Sequence, residues 1–234
     1  MARWEYQSSA AIPKSGGELQ LYRREMARAP EYAIRIKGEP GDLMSSRAHA
    51  SEDALGTLPL GVLKATTELR VLIGGLGMGF TLAAALRWCD ETAQRFPNPQ
   101  IDVAELVPGV IEWNETIIGD CAGRPLEDSR VNVVQGDVYR FIDRARSKYD
   151  AILLDVDNGP EGLTHDHNHR LYSADGLSRA LNALREGGVL AVWSAGPDPS
   201  FAARLEKVGF SVAEHRVRAH AGKGARHVIW LATC

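Results

Sequence analysis

Three glycines and three carboxylates occupy the positions in this sequence where chemistry is most readily expected. Gly75, Gly77 and Gly79 follow an apolar run at residues 70–73 and precede a helix-like stretch that starts at Thr81. Glycine lets a ligand approach the backbone closely and adopts positive φ without strain. Exposed N–H groups at a helix start favour a polar or anionic ligand group. The stretch therefore predicts a strand, a ligand-binding turn and a helix.

The spacing of these glycines narrows the choice of ligand. They form the pattern G-x-G-x-G, whereas the dinucleotide fingerprint is G-x-G-x-x-G. The shorter pattern is associated with cofactors of the S-adenosylmethionine type. Glycine-rich turns after strands also occur for packing alone, so the pattern by itself is a weak signal.

Three acids each end an apolar run that suits a buried strand. Glu105 is positioned to accept hydrogen bonds from both ribose hydroxyls of an adenosine ligand. Asp137, followed by Val138, can accept one from an adenine amino group while it caps the next helix. Asp155 lies where a transferable group would meet its acceptor, and it can orient an amine or hydroxyl and take its proton. Structural readings stay open: a helix-start acid for Glu105 and a turn former for Asp155.

The loop after the third acid carries further polar side chains. Asp157 and Asn158 come first, and His165, His167 and His169 alternate a few residues later. Imidazoles are common metal ligands, but such a run in a loop more often faces solvent or substrate. We therefore predict acceptor contacts at Asn158, His165 and His167 and no metal site.

Strand and helix patterns alternate from Leu69 onward. The predicted strands are 70–73, 101–106, 131–135, 150–155 and 189–193, the predicted helices are 81–87, 109–118, 138–146, 173–185 and 200–208, and two more strands, 210–215 and 227–232, follow. Such alternation implies an α/β fold whose parallel sheet is covered on both faces and binds ligands at the carboxyl ends of its strands. Trp193 ends one strand and either walls the acceptor site or closes the core. Trp113 and His227 are interpreted as structural.

The first part of the chain has a different pattern. Short β-like runs at 18–26, 31–37 and 43–45 alternate with glycine- and proline-containing breaks. We expect a small antiparallel meander in residues 1–50, ahead of a main domain in residues 51–234. Ser51 is a good N-cap residue, so a short helix is predicted to begin there and to end before Pro59.

Composition restricts the function further. The chain has 234 residues, of which 44% are hydrophobic and 24% charged, which suits one α/β domain with an appendage. The net charge of −3 and the lack of a basic run argue against a nucleic-acid partner. No stretch suits a membrane span or signal peptide, and the cysteines Cys89, Cys121 and Cys234 are scattered singly. We expect a cytoplasmic protein without a membrane partner.

In combination these motifs resemble the spermidine synthase, or polyamine aminopropyltransferase, family over about residues 69–193. Leu171-Tyr172-Ser173 and residues 184–190 add to the resemblance. It implies a Rossmann-like seven-stranded methyltransferase fold with a small N-terminal β extension, ribose contacts at Glu105, adenine contacts at Asp137 and a proton-accepting carboxylate at Asp155. Tyr172 and Trp193 join the predicted substrate contacts, and a homodimer is expected.

Three departures from that family argue against ordinary spermidine synthesis. Family members carry an aspartate in the glycine turn that holds the ammonium of the decarboxylated cofactor's aminopropyl arm, whereas this chain has Gly77 or Met78 there. The second aspartate of the family's D-[ST]-[ST]-D-P loop is replaced by Asn158, with Asp157 as a substitute. The Tyr-Gln or Tyr-His pair expected before the main domain is not evident in residues 46–52.

The sequence therefore predicts a transferase that uses S-adenosylmethionine to methylate an amine, hydroxyl or carboxylate of a small molecule. Asp155 is the predicted orienting group or base, with Asp157 beside it. Two alternatives stay open. The first is aminopropyl transfer from decarboxylated S-adenosylmethionine to a polyamine, and the second is a non-catalytic module that keeps the adenosine pocket.

Overall fold

The computed structural model describes residues 3–13, 16–156, 170–220 and 223–234, which form sheets of four and seven strands. The smaller sheet is the expected antiparallel meander. Its strands β1 (Glu5–Ala11), β2 (Glu18–Arg24), β3 (Glu31–Ile36) and β4 (Met44–Ser45) lie side by side in chain order. The sequence did not predict β1, because this edge strand is mostly exposed and lacks an alternating apolar pattern.

The first helix differs from its prediction at both ends. Helix α1 (Ala50–Gly61) follows His49 as its N-cap and continues through Pro59. Ser51 does not cap it and is instead fully buried. Pro59 lies in the last turns of the helix and is itself buried, so packing outweighs the one backbone hydrogen bond that its ring removes.

Close packing between α1 and the next helix depends on Gly56. A Cβ atom at this position would lie 2.4 Å from the backbone oxygen of Thr81 and 2.7 Å from Cβ of Ala84. Glu52 lies one turn earlier on the same face of α1. The approach at Gly56 therefore brings Glu52 to the start of the following helix.

The larger sheet has the predicted parallel architecture with an antiparallel pair at one edge. Its strand order is β10-β11-β9-β8-β5-β6-β7. The strands are β5 (Arg70–Gly74), β6 (Gln100–Glu105), β7 (Val131–Gln135), β8 (Tyr149–Leu154), β9 (Leu184–Ser194), β10 (Ser211–His220) and β11 (Lys223–Thr233). The helices are α2 (Phe80–Glu91), α3 (Pro108–Thr116), α4 (Val138–Arg144), α5 (Ala174–Ala183) and α6 (Pro199–Val208). The predicted seven-stranded fold is confirmed.

Apolar cores cover both faces of this sheet. Val71 and Ile73 of β5 pack into the same core as Leu21 and Ile34 of the smaller sheet. Leu72, between them, belongs to a core on the opposite face. This alternation is the period of two that a strand buried on both faces requires.

The sheet changes its winding direction between β5 and β8. After β5 the chain adds β6 and β7 on one side, and it then returns to place β8 on the other side. In such sheets, ligands bind in the crevice outside the carboxyl ends of the strands at this switch point. The glycine turn after β5 and Asp155 after β8 meet there. Among the described residues, no helix combines the length and the apolar character that a membrane crossing needs.

Candidate functional site

The glycine turn adopts a backbone shape that favours glycine at every second position. Gly75, Gly77 and Gly79 have φ values of 90°, 52° and 82°. A Cβ atom on Gly75 would lie 2.2 Å from the backbone oxygen of Asp155, so the close contact with the end of β8 excludes any side chain. Gly79 is the N-cap of α2 and offers no side-chain cap, so backbone N–H groups at this helix start can face a ligand.

Glu105 joins the end of β6 to this turn. Its Oε2 accepts a 2.8 Å hydrogen bond from the N–H of Leu76, and its Oε1 accepts one of 2.8 Å from the N–H of Val107. The side chain is buried, which raises its pKa, while hydrogen bonds from the backbone oppose that rise. The backbone N–H groups of Gly77 and Leu106 add to this opposing effect. The ribose contacts predicted for Glu105 fit this geometry and stay a prediction.

Asp137 has two partners at the end of β7. It is the N-cap of α4, where Oδ1 accepts a 3.0 Å hydrogen bond from the N–H of Tyr139. Oδ2 forms an ion pair with Arg170, whose guanidinium also lies 4.4 Å from the centre of the Tyr139 ring. Val138 packs its side chain against Gly74, beside the glycine turn. The adenine role of Asp137 stays a prediction, and Arg170 was not among the predicted site residues.

Asp155 faces an inner cavity of about 80 Å³ at the switch point. Its Oδ2 accepts a 2.8 Å hydrogen bond from the Thr81 hydroxyl, which projects from the first turn of α2. Burial, followed by the charge of Glu52, raises the pKa of Asp155 to about 7, and the Thr81 hydrogen bond opposes this rise. A carboxylate with this pKa can accept a proton near neutral pH.

Glu52 is a second carboxylate in the inner cavity, and the sequence did not point to it. It enters from the first turn of α1, and its backbone oxygen lies 3.3 Å from the Thr81 hydroxyl. Burial raises its pKa, and a 2.6 Å hydrogen bond from the Ser51 hydroxyl opposes that rise. Acids in the first turn of a helix are usually explained by their interaction with the helix dipole, so they do not by themselves indicate a site. The only sequence signal for Glu52 was its position four residues before Gly56, on the same face of α1.

Apolar side chains enclose the two carboxylates. The rest of the inner cavity is lined by Leu43, Met44, Ser45, Leu76, Gly77, Met78, Phe80 and Trp193. The small N-terminal sheet therefore covers the glycine turn through Met44, whose sulfur would lie 3.0 Å from a Cβ on Gly77. The His49 ring stacks on Phe80 with centroids 4.1 Å apart, and its Nδ1 donates a 2.8 Å hydrogen bond to Oδ2 of Asp53.

An outer cavity of about 580 Å³ adjoins the inner one. The two cavities share Leu43, Met44, Ser45, Glu52 and Trp193. Polar side chains add to the lining of the outer cavity, namely Glu31, Asp42, Arg47, His220 and His227. Glu52 and Trp193 therefore border both cavities.

A comparison with known protein families matches the part of the sequence that contains most of these site residues. The model of the spermine/spermidine synthase domain family matches residues 56–198, more than half of the chain. The chain belongs to the spermine/spermidine synthase family. The match begins within α1 and includes the glycine turn, Glu105, Asp137 and Asp155.

Individual relatives are similar over part of their length. The chain is 30% identical over 127 residues to a polyamine aminopropyltransferase of Korarchaeum cryptofilum, which covers 54% of this chain and 36% of that protein. It is 34% identical over 104 residues to one of Corynebacterium efficiens, which covers 43% of this chain and 19% of that protein. The chain thus spans less than two fifths of the length of these curated relatives. Since both are named for aminopropyl transfer, they support that alternative better than methyl transfer.

A solved structure supports the fold. Spermidine synthase from Thermotoga maritima superposes with a TM-score of 0.71 at 14% identity, over 97% of this chain and 72% of that one. At this identity the likeness concerns the fold alone. It agrees with the predicted Rossmann-like sheet.

The structure separates the predicted acceptor residues. Trp193, at the end of β9, lines both cavities, and its contact with an acceptor stays a prediction. Tyr172 is instead buried in the core of the opposite sheet face, where its ring packs edge-on against Phe201 with centroids 5.7 Å apart. It lies just before α5, and the packing of α5 against α6 draws its ring into that core. The predicted residues Asp157, Asn158, His165, His167 and His169 lie outside the described residues.

Two residues interpreted as structural have different outcomes. Trp113 is 2% exposed and packs in the core, as expected. His227 lines the outer cavity and lies 2.9 Å from the Ser51 hydroxyl, a contact that the sequence did not predict. Its sequence neighbours on β11 gave no sign of this, because the contact joins residues 176 positions apart.

Proposed function

We propose that this chain transfers the aminopropyl group of decarboxylated S-adenosylmethionine to the nitrogen of a small diamine or polyamine. The observation that carries the proposal is the pair of carboxylates, Glu52 and Asp155, that faces the inner cavity beside the glycine turn. Membership in the spermine/spermidine synthase family supports it.

A cation is the ligand that the inner cavity accommodates best. Burial raises the pKa of both Glu52 and Asp155, and the negative charge of Glu52 adds to the rise at Asp155. An ammonium group between them would stabilise the ionised forms and offer three N–H donors. With an uncharged acceptor, Glu52 and Asp155 would have no cation beside them in the apolar cavity, and one of them would have to take up a proton.

The same pair discriminates between the two forms of the cofactor. Intact S-adenosylmethionine carries a carboxylate, which Glu52 and Asp155 would repel in a buried site. The decarboxylated form carries only an ammonium at that end of the molecule. The pair therefore places negative charge beside a glycine turn that has no acid at Gly77 or Met78. This removes the main objection that the sequence raised to aminopropyl transfer.

The glycine turn and its neighbouring acid suit the nucleoside part of the donor. Gly77 and Gly79 leave the backbone of the turn free of side chains, and Glu105 holds the turn through Leu76. The donor, when bound, supplies an electrophilic carbon next to a sulfonium.

The residues of the chain handle the charge and the proton of the acceptor. An acceptor ammonium must lose a proton before its nitrogen can attack, and Asp155 takes that proton on a carboxylate oxygen. The new C–N bond forms as the C–S bond breaks, and the electron pair of the broken bond stays on sulfur. Glu52 and Trp193 hold the acceptor in line with the donor, which lowers the entropic cost of the reaction.

Turnover with both donor forms tests the proposal. The chain is incubated with decarboxylated or intact S-adenosylmethionine and a panel of diamines and polyamines, and products are identified by mass spectrometry. We expect acceptors that gain one aminopropyl group and an equal amount of the thioether nucleoside. Methylated products formed only from the intact cofactor would overturn the proposal.

Asp155→Asn is the matched variant for this experiment, because the amide keeps the shape of the side chain. We expect turnover to fall by about a hundredfold or more, the usual effect of losing a general base. Calorimetric affinity for decarboxylated S-adenosylmethionine should change much less. Donor binding without turnover in the wild type would instead support the non-catalytic module.

A further inference from the structure

A chain of hydrogen bonds connects the inner cavity to the outer one through Ser51. The Ser51 hydroxyl donates to Oε2 of Glu52 at 2.6 Å, and Nδ1 of His227 lies 2.9 Å from the same hydroxyl oxygen. Ser51 is completely buried, Glu52 lines both cavities and His227 lines the outer one. The first two residues belong to α1 and the third to β11, so the tertiary fold aligns them.

The directions of these hydrogen bonds determine the form of the imidazole. Ser51 has one hydroxyl proton, which it donates to Glu52, so Nδ1 of His227 must be the donor toward the Ser51 oxygen. Burial lowers the pKa of His227, which keeps the ring neutral at neutral pH and leaves its Nε2 unprotonated. Trp193 packs edge-on against this ring with centroids 4.6 Å apart and restrains its orientation.

The charge of Glu52 depends on this arrangement. Hydrogen bonds in a chain polarise one another, so donation from His227 strengthens the bond from Ser51 to Glu52. That bond opposes the rise of the Glu52 pKa that burial causes. Without the imidazole donor, the Ser51 hydroxyl is free to turn away, and Glu52 takes up a proton at a higher pH. A protonated Glu52 has no charge to offer an ammonium.

We propose that His227 is a positioning residue that acts through Ser51 to keep Glu52 ionised and directed toward the amine substrate. This inference rests on the proposed function, because it assigns an ammonium group to Glu52. It adds a residue of the last strand to a site otherwise built from the glycine turn, α1 and β8.

Other charged groups also face Glu52 and His227. They are Asp155 at the end of β8, His49 just before α1, Asp53 on α1, Glu31 on β3, Asp42 and Arg47 near β4, and His220 on β10. Substitution of His227 leaves all of them in place. A comparison among variants at this position therefore isolates the hydrogen bond to Ser51.

Two variants separate this hydrogen bond from simple packing. His227→Phe keeps an aromatic ring against Trp193 but cannot donate, whereas His227→Asn offers an amide N–H to Ser51. Affinity for putrescine is measured by calorimetry at pH 6.5 and pH 9, with methylthioadenosine present. A rise of about one unit in the pKa of Glu52 weakens binding by at most about tenfold. We expect the Phe variant to bind measurably more weakly than wild type at pH 6.5 and within about twofold of wild type at pH 9. The Asn variant should bind like wild type.

Equal losses at both pH values in both variants would show that His227 only fills space, and unchanged affinity in the Phe variant would overturn the inference as well. Spectroscopy of the free protein gives a second reading that needs no substrate. We expect ¹⁵N spectra to show His227 protonated at Nδ1, and ¹³C spectra to show a higher titration midpoint for Glu52 in His227→Phe.

These readouts distinguish the two proposals. An Nε2-protonated His227, or an unchanged Glu52 midpoint, would overturn the role of His227 whether or not amines bind. A wild-type chain with the expected spectra that binds no amine would count against the proposed function and against an amine as the group that Glu52 holds.

Discussion

The hydroxyl of Thr81 donates a 2.8 Å hydrogen bond to Oδ2 of Asp155. It joins the first turn of α2 to the end of β8, so the helix that follows the glycine turn also acts on the carboxylate that faces the inner cavity. Thr81 is 2% exposed, which shields this hydrogen bond from water. Burial and the charge of Glu52 raise the pKa of Asp155, and Thr81 is the neighbour that lowers it.

Thr81→Val should therefore move the pH dependence of turnover. A hydrogen bond to a charged group contributes about 1.5–3 kcal/mol, which corresponds to about one to two pKa units. Because the lost bond stabilised the carboxylate, the pKa of Asp155 rises and the acidic limb of the kcat profile moves to higher pH. Thr81→Ser keeps the hydroxyl and should follow the wild type. An unmoved limb in the Val variant would show that Thr81 does not control Asp155.

Ionisation of Asp155 should lower the stability of the folded chain. Folding raises its pKa from 3.8 to about 7, so the folded state binds the proton more tightly than the unfolded state does between these values. The contribution of this group to stability therefore falls as the pH rises from about 4 to about 7. Asp155→Asn cannot ionise, and we expect it to melt roughly 5 °C higher than wild type at pH 8, with a smaller difference near pH 4.

Asp102 provides a control of opposite sign for this melting experiment. Although burial alone would raise its pKa, hydrogen bonds from Asn132 and Lys148 hold the pKa of Asp102 below its ordinary value. Its ionised form stabilises the fold above that ordinary value, and the benefit is lost as the pH falls. Asp102→Asn should therefore melt below wild type at pH 8. If the melting temperatures of both variants changed in the same direction at pH 8, the raised pKa of Asp155 would be contradicted.

The part of this site that the sequence predicts depends on local patterns. Apolar runs of strand length mark β5, β6 and β8, and the acids that end them must share one edge of a parallel sheet. The positions of Glu105 and Asp155 beside the glycine turn could therefore be predicted without any knowledge of how distant segments pack. Strand bounds were less certain, and β9 begins at Leu184, well before the predicted Val189, because its first residues pair with the start of β8.

The part that the sequence does not predict depends on contacts between distant segments. Glu52 reaches the cavity because Gly56 lets α1 approach α2, and a helix-start acid by itself is normally solvated. Ser51 has the residue type of an N-cap, yet its hydroxyl bonds Glu52 and contacts His227. The sequence therefore identified the family, and it favoured methyl transfer over the aminopropyl transfer that the relatives support better, because the second carboxylate could not be located from it.

Glu105→Gln should weaken donor binding. Both carboxylate oxygens accept backbone N–H groups, from Leu76 and Val107, so an amide NH₂ must face one of these donors and cannot accept from it. The same change removes an acceptor that the ribose would use. We expect affinity for methylthioadenosine to fall about tenfold or more by calorimetry, consistent with the loss of a hydrogen bond to a charged group.

Glu112→Gln on the exposed face of α3 is the matched control and should bind as wild type does. Melting temperatures of both variants separate a local effect from a general loss of structure. Unchanged affinity in Glu105→Gln, with an unchanged melting temperature, would remove the ribose role from Glu105.

A comparison of alanine substitutions at Gly75 and Gly41 separates the cost of a strained backbone from the cost of a close atomic contact. Their φ values are 90° and 92°, so alanine at either position strains the backbone by a similar amount, about 1–2 kcal/mol. A Cβ atom on Gly41 would meet nothing within 4 Å, whereas one on Gly75 would lie 2.2 Å from the backbone oxygen of Asp155. Gly75→Ala must therefore also push the turn away from β8. We expect urea unfolding to show a loss at least about 2 kcal/mol larger for Gly75→Ala than for Gly41→Ala. Equal losses would mean that the turn relaxes freely, and that its contact with Asp155 does not explain the glycine.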